Sequence, residues 1–291
     1  MAPVVLVHGI FNHVRGATPE QAALRRGADC RPKLTEGFAE ARLTVGAPQL
    51  VVAYYADLLR VDAPKQAQAA GDDASFEDLT SVQRGHAAEW LAAAGAPVPQ
   101  DPQNVGLAPL RQMLGWLFGE RGGHLVGAVR EQTMRRVERA IVANLREVEA
   151  YSSWPERRRL VRERVAEVIR KERPAVVVAH SLGSLVTYET LHAFPELEAE
   201  LLVTVGSPLR VPSLARRLDP GLRGGRGAKP VGVGRWVNIA DIGDIIAIPP
   251  KLGEVFPVDF EDTCDNGLGF HSFGGYLANG LVASAIAPYI S

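Results

Sequence analysis

The residues best placed to do chemistry lie in the run Ala175-Val176-Val177-Val178-Ala179-His180-Ser181-Leu182-Gly183-Ser184. A β-branched run leads straight into a serine with a small residue two positions away on either side, and a helical pattern follows at once. A strand-turn-helix of this kind holds its serine in a strained backbone conformation. It also brings neighbouring chain so close that only small side chains fit at positions 179 and 183. The chemistry it suggests is attack by the Ser181 hydroxyl on an acyl carbon, which requires a base to take the proton and a group to orient that base.

A second segment agrees. Val4-Val5-Leu6-Val7-His8-Gly9-Ile10 is an apolar strand pattern that ends in His-Gly. Together, His-Gly-Ile after a first strand and Ala-His-Ser-Leu-Gly at the turn resemble the α/β-hydrolase superfamily, in its lipase and esterase branch. The usual form has Gly at both flanking positions, and Ala179 is a departure shared with some small bacterial lipases. The resemblance covers residues 1–56 and 174–291. It implies a serine hydrolase that cleaves a carboxylic ester through an acyl-enzyme on Ser181. The backbone N–H groups of Ile10 and Leu182 would form the oxyanion hole, and the triad would follow in the order Ser, Asp, His.

That order can be tried on the chain. Of its seven histidines only His271 lies beyond the strand pattern Arg235–Ala240, in the glycine-rich run Gly267-Leu268-Gly269-Phe270-His271-Ser272-Phe273. A loop at a helix start suits a base that must reach the serine from above a sheet. For the acid, Ala240-Asp241-Ile242-Gly243-Asp244-Ile245-Ile246 offers two aspartates. In similar hydrolases the acid sits a few residues past the strand and just before an aliphatic pair, which favours Asp244. Asp241 is the alternative, Asp259, Asp262 and Asp265 are more remote, and the unused aspartate is expected to cap a turn or helix. Phe11 and His180, beside these segments, are candidate substrate contacts.

The elements that must position these groups are legible as alternation. Continuous apolar runs at Pro3–Val7, Gln49–Tyr55, Ala175–Ala179, Leu201–Val205 and Arg235–Ala240, with a weaker one at Glu254–Phe260, read as strands covered on both faces. Helical patterns lie between them: Thr18–Arg42, broken by Pro32; a helix through Lys171 opened by a Ser153-Trp154-Pro155-Glu156 capping box; and Leu182–Phe194. The fold class expected is α/β, a three-layer doubly wound and mostly parallel sheet of about six strands in one domain over 1–291.

The interval between the second and third strands is far longer than one crossover helix needs, so 57–150 reads as an inserted helical cap or lid subdomain. Its apolar cluster includes Leu114, Trp116 and Phe118, and a helical stripe follows at Val126, Val129, Val137, Ile141, Leu145 and Val148. Such an insertion either packs as a subdomain or lays an apolar face on an acyl substrate, with Leu114, Trp116 and Phe118 as the contacts. The run Gly221–Gly234, with six glycines, reads as a surface loop.

Composition sets the outer limits. With 32 Lys+Arg against 33 Asp+Glu, the net charge of −1 leaves no footprint for phosphate-driven binding, so nucleic acid is not an expected partner. No apolar run approaches the roughly 20 residues of a spanning helix, and no secretory leader pattern is seen, which predicts a cytoplasmic chain. Membrane-surface contact could come only through the apolar cluster, and no Lys-rich amphipathic helix signals it. Cys30 and Cys264 lie outside metal-type spacing and are read as reduced bystanders. Triad chemistry needs no metal or organic cofactor, and none is expected. Competing readings are a thioesterase, amidase or peptidase with the same triad, and a non-catalytic scaffold whose insertion binds a partner protein.

Overall fold

The computed structural model describes residues 3–10, 12–59, 74–98, 105–121, 128–267 and 271–290. Among them, six strands form one all-parallel sheet in the order β2-β1-β3-β4-β5-β6. They are β1 (Val4–Val7), β2 (Leu50–Ala53), β3 (Val176–His180), β4 (Ala199–Val205), β5 (Val233–Asp241) and β6 (Phe260–Cys264). In register, Val7 of β1 lies beside Ala179 of β3, and His180 lies beside Val205 of β4.

Strand side chains alternate between two apolar layers. Val4, Leu6, Val176 and Val178 point into a cluster shared with α1 (Pro19–Glu40), α8 (Phe273–Ala278) and α9 (Gly280–Ile286). Val5, Val7, Val177 and Ala179 point into the other, shared with α5 (Pro155–Glu172) and α6 (Leu182–Ala193). Burial on both faces is why these strands read as continuous apolar runs.

The insertion contributes α2 (Ser81–Ala93), α3 (Leu107–Arg121) and α4 (Ala128–Ser152), and a short α7 (Pro212–Ala215) follows β4. The buried side chains of α2, α3 and α4 belong to the same cluster as β1, α5 and α6, so this layer is continuous with the sheet's core. Val126 and Val129, expected on its stripe, lie outside the residues whose side chains are described.

Three expectations are corrected. Pro32 does not break the first helix: α1 runs unbroken through it. A proline costs a helix interior about 3 kcal/mol, and the burial of Leu34 and Phe38 beneath α8 and α9 outweighs that. Gly37 lets the two backbones meet, since a methyl group there would strike the Leu277 carbonyl. Secondly, the last strand is Phe260–Cys264, later than the pattern at 254–260 suggests. Residues 252–258 instead turn back, with Val255 and Phe256 N–H donating to the Leu252 carbonyl and Phe256 fully buried. Pairing with β5 begins only once Asp259 bonds the Trp236 backbone. Thirdly, Ser153 does not cap α5. Its N–H still donates to Glu149 of α4, which leaves Trp154 at the cap position and Pro155 as the first residue of α5.

The glycine-rich run is held at several points. Arg223 and Arg226 exchange backbone bonds, and Gly227 N–H donates to the Val255 carbonyl. No helix among the described residues is long and apolar enough to cross a membrane.

Candidate active site

From β1 the chain crosses by α1 to β2 on one side, then returns to β3 on the other. The carboxyl ends of β1 and β3 therefore flank the point where the winding direction reverses, which is where sheets of this architecture form ligand crevices. Ser181 directly follows β3 there, and the segment His8-Gly9-Ile10 directly follows β1.

Ser181 has φ 54° and ψ −128°, a conformation that costs a non-glycine residue on the order of 1–3 kcal/mol. Neighbouring bonds hold it there. Its N–H donates to the Val205 carbonyl (3.1 Å), and its own carbonyl accepts from Ser184 N–H (2.9 Å) and Ser184 Oγ (2.6 Å). The Ser184 hydroxyl in turn shares a 2.7 Å bond with Ser207. Close packing explains the small neighbours: any side chain at Gly183 would strike the carbonyls of Val7 and His8, whereas the buried methyl of Ala179 is accommodated.

The two amides expected at an oxyanion hole are disposed differently. Leu182 is the first residue of α6, so its N–H has no partner within the helix. Ile10 follows a peptide that passes directly over the serine, since a Cβ on Gly9 would lie 2.5 Å from that of Ser181. The Gly9 carbonyl is bonded by Asn12 Nδ2 (3.0 Å) and His8 Nδ1 (2.8 Å), and Asn12 also holds the Ile10 carbonyl (2.7 Å). N–H and C=O of a trans peptide point in opposite directions, so fixing the Gly9 oxygen turns the Ile10 N–H away from His8 and Asn12.

His8 itself is buried and stacked on Tyr55 with ring centroids 4.2 Å apart. Its Nε2 accepts from Tyr55 N–H (3.2 Å), which leaves the proton on Nδ1 and the ring neutral. Burial drives its pKa down to about 4.

Around Ser181 three chain segments converge. His271 Nε2 lies 3.0 Å from Ser181 Oγ, and His271 Nδ1 donates to Asp244 Oδ2 at 2.8 Å. The same Oδ2 accepts from the Tyr276 hydroxyl (2.8 Å), while Asp244 Oδ1 accepts from the N–H groups of Ile246 (2.8 Å) and Ala247 (3.3 Å). The Asp244 carboxylate is thus fully buried, with four donors. Burial, then the Asp244 charge, raises the Tyr276 pKa far above its ordinary value, so the phenol remains a donor.

Asp241 takes the other role. Its carboxylate accepts from the N–H groups of Gly243 and Asn266 and caps the turn after β5, while burial raises its pKa. Asp259 anchors the start of β6, and Asp262 and Asp265 bond backbone N–H groups one and two residues on.

The expected substrate contacts are placed less favourably. His180 is buried with its ring stacked on Phe273 (4.9 Å, 7°) and its Nε2 on the His271 carbonyl (3.1 Å). It packs against the loop that carries His271. Burial and the neighbouring His271 lower its pKa well below the usual range. Leu114 and Phe118 are buried in the core that the insertion shares with the sheet, with α3 resting on α2 and α4. Trp116 is 41% exposed, and Phe11 lies outside the described residues.

Asn12, Ser184, Ser207 and Tyr276 had no sequence signal as site residues. Among the described residues no cluster of His, Cys, Asp and Glu could hold a metal ion. Both cysteines are free, and burial pushes their thiols up to about 11 for Cys30 and about 12 for Cys264.

In comparisons with known proteins, no family model, no curated protein and no solved structure matches the chain.

Proposed function

We propose that the chain is a serine hydrolase of the α/β-hydrolase type that cleaves a carboxylic ester. The observation that carries this reading is the hydrogen-bonded series Ser181–His271–Asp244, with steps of 3.0 and 2.8 Å, set on a serine held at positive φ. A strained serine joined to an imidazole whose other nitrogen is held by a buried carboxylate has the geometry of an activated nucleophile.

In the proposed reaction, His271 Nε2 takes the Ser181 proton as Oγ attacks the substrate carbonyl carbon. The tetrahedral oxyanion is held by the Leu182 and Ile10 amides, each such donor being worth about 2.7–4 kcal/mol of barrier. As the oxyanion collapses to a carbonyl, the bond from the acyl carbon to the alkoxy oxygen breaks and His271 gives its proton to that oxygen, so the alcohol departs and the acyl group remains on Ser181. Water, deprotonated by His271, then releases the acid and restores the serine. Asp244 keeps the imidazole tautomer fixed and stabilises its cation throughout. With Leu114 and Phe118 buried, the insertion's apolar cluster gives no argument for a long acyl chain.

The test is labelling with a fluorophosphonate probe alongside p-nitrophenyl ester turnover. Wild type should label at Ser181 and hydrolyse short-chain esters, and Ser181→Ala should do neither. An unlabelled wild type, or a Ser181→Ala variant that labels as fast as wild type, rejects the proposal. Matched thioester and amide substrates then rank the acyl bond preferred.

A further inference from the structure

The helical insertion makes a directed bond to the acid loop through Trp90. Trp90 on α2 is fully buried, and its indole N–H donates to the backbone carbonyl of Ile245 at 2.9 Å. Ile245 is the residue immediately after Asp244. We propose that Trp90 is a positioning residue for the triad: it fixes the loop that holds Asp244 against His271, so part of the active-site geometry is built by the insertion. This rests on the hydrolase reading given above.

The argument starts from the loop. Residues 242–250 follow the end of β5 and belong to no helix or strand, so the sheet does not dictate their path. On the inner side, Asp244 gathers its own loop, accepting from Ile246 and Ala247 N–H and aiming Oδ2 at His271 and Tyr276. The bonds to His271 and Tyr276 hold the loop from the side of the site, and its ends are held by Ile242 N–H on the Cys264 carbonyl and Asn238 Nδ2 on the Pro250 carbonyl, but none of these reaches the face of the loop turned towards the insertion. The Ile245 carbonyl faces the opposite way, into the insertion, where a buried acceptor without a donor would cost about 1–3 kcal/mol. Trp90 supplies that donor, and the indole finds in Ile245 the partner a buried Trp N–H needs.

The support behind Trp90 is itself bonded and packed at several points. α2 opens with a reciprocal cap between Thr80 and Gln83 and buries Ala87, Ala88 and Leu91 in the shared core. Gln83 also bonds Glu149 of α4, and Arg216, just past α7, bonds Glu89 beside Trp90. Ile245 and Ile246 sit in the same apolar cluster as Trp90, so the contact combines packing with one directed bond. α2 is therefore joined to the triad's acid and is part of the fixed frame.

The experiment replaces Trp90 by β-(3-benzothienyl)alanine, which keeps the ring shape and deletes only the N–H, with Trp90→Phe as a genetic counterpart. Ester turnover should fall about tenfold in kcat with KM within twofold of wild type, because a displaced acid disturbs the reaction more than substrate binding. The low-field proton NMR resonance of His271 Nδ1–H should move upfield as its bond to Asp244 lengthens. A merely structural tryptophan would lower the melting temperature and leave kcat and the resonance unchanged, and that result overturns the proposal, as does an unaltered benzothienyl variant even if Trp90→Phe fails to fold. If no ester is turned over and Ser181 is not labelled, the hydrolase reading fails separately. The resonance then decides the positioning role alone, supporting it if it moves and rejecting it if it does not.

Discussion

Two buried carboxylates, one in the loop after β5 and one on α6, are built in the same way and reach different ends. Asp244 accepts from His271 Nδ1, the Tyr276 hydroxyl and two backbone N–H groups. Glu189, on α6 itself, accepts from two N–H groups of Arg158, the Tyr151 hydroxyl (2.5 Å) and the Asp219 N–H (3.1 Å). In both, burial first and the carboxylate's charge next keep the tyrosine phenol protonated. What differs is the nitrogen partner. A guanidinium stays charged and has no lone pair to lend, so the Glu189 cluster can only join α4, α5 and α6. An imidazole can pass a proton, and its second nitrogen faces Ser181. The comparison teaches that a well-satisfied buried carboxylate marks a site of chemistry only when its partner can titrate and has a second neighbour.

The comparison can be broken at either end. The largest effect is expected at the carboxylate bonded to His271: if the proposed triad operates, Asp244→Asn should reduce ester turnover about 10⁴-fold by favouring the wrong imidazole tautomer. Asp241→Asn should stay within about tenfold, as loss of a turn cap implies. Comparable losses in steady-state kinetics would mean that Asp244 is not the acid.

At the structural end, Glu189→Ala leaves the largely buried Arg158 without its carboxylate partner, and should cost about 3 kcal/mol in denaturant unfolding. Fluorophosphonate labelling of Ser181 in the folded variant should stay within about twofold of wild type, since no proton passes through that cluster. Abolished labelling in a folded variant would show that the two carboxylates are coupled.

Of similar size is a pH effect on the sheet side of the site. His8 titrates near 6.5 when unfolded and at about 4 when folded, because burial disfavours its cation. Between these values the unfolded chain binds the extra proton, so stability is fully present above pH 6.5 and is lost as pH falls towards 4, by up to about 3 kcal/mol. His180, lowered in the same direction, adds to the trend. Urea unfolding at pH 7 and pH 5 should show the loss in wild type and a shallower one in His8→Gln. Parallel pH dependences would reject it.

The smallest effect separates the two tyrosines. Tyr276→Phe removes one of four donors to Asp244 and should lower kcat several-fold, about 1 kcal/mol. Tyr151→Phe should leave kcat unchanged and only lower the melting temperature.

Ser181, His271 and Asp244 were legible as candidates because each signal is local: an apolar strand running into a small-flanked serine, a histidine past the last strong strand, an aspartate before an aliphatic pair. The packing of His180 was not legible, since only the folded chain brings Phe273 and the His271 carbonyl against it. The last strand was misplaced because Val255 and Phe256 look equally apolar in a strand or in a buried turn.

By itself the sequence determined the alternation of strands and helices, and with it the α/β class, because side-chain period and backbone sterics are properties of neighbouring residues. It also placed the serine at a strained turn. The tertiary structure decided which aspartate faces the imidazole, which tyrosine joins it, and that a tryptophan from the insertion holds the loop between them. Those choices depend on donors and acceptors distant along the chain that meet only when the core closes and each buried polar group must find a partner.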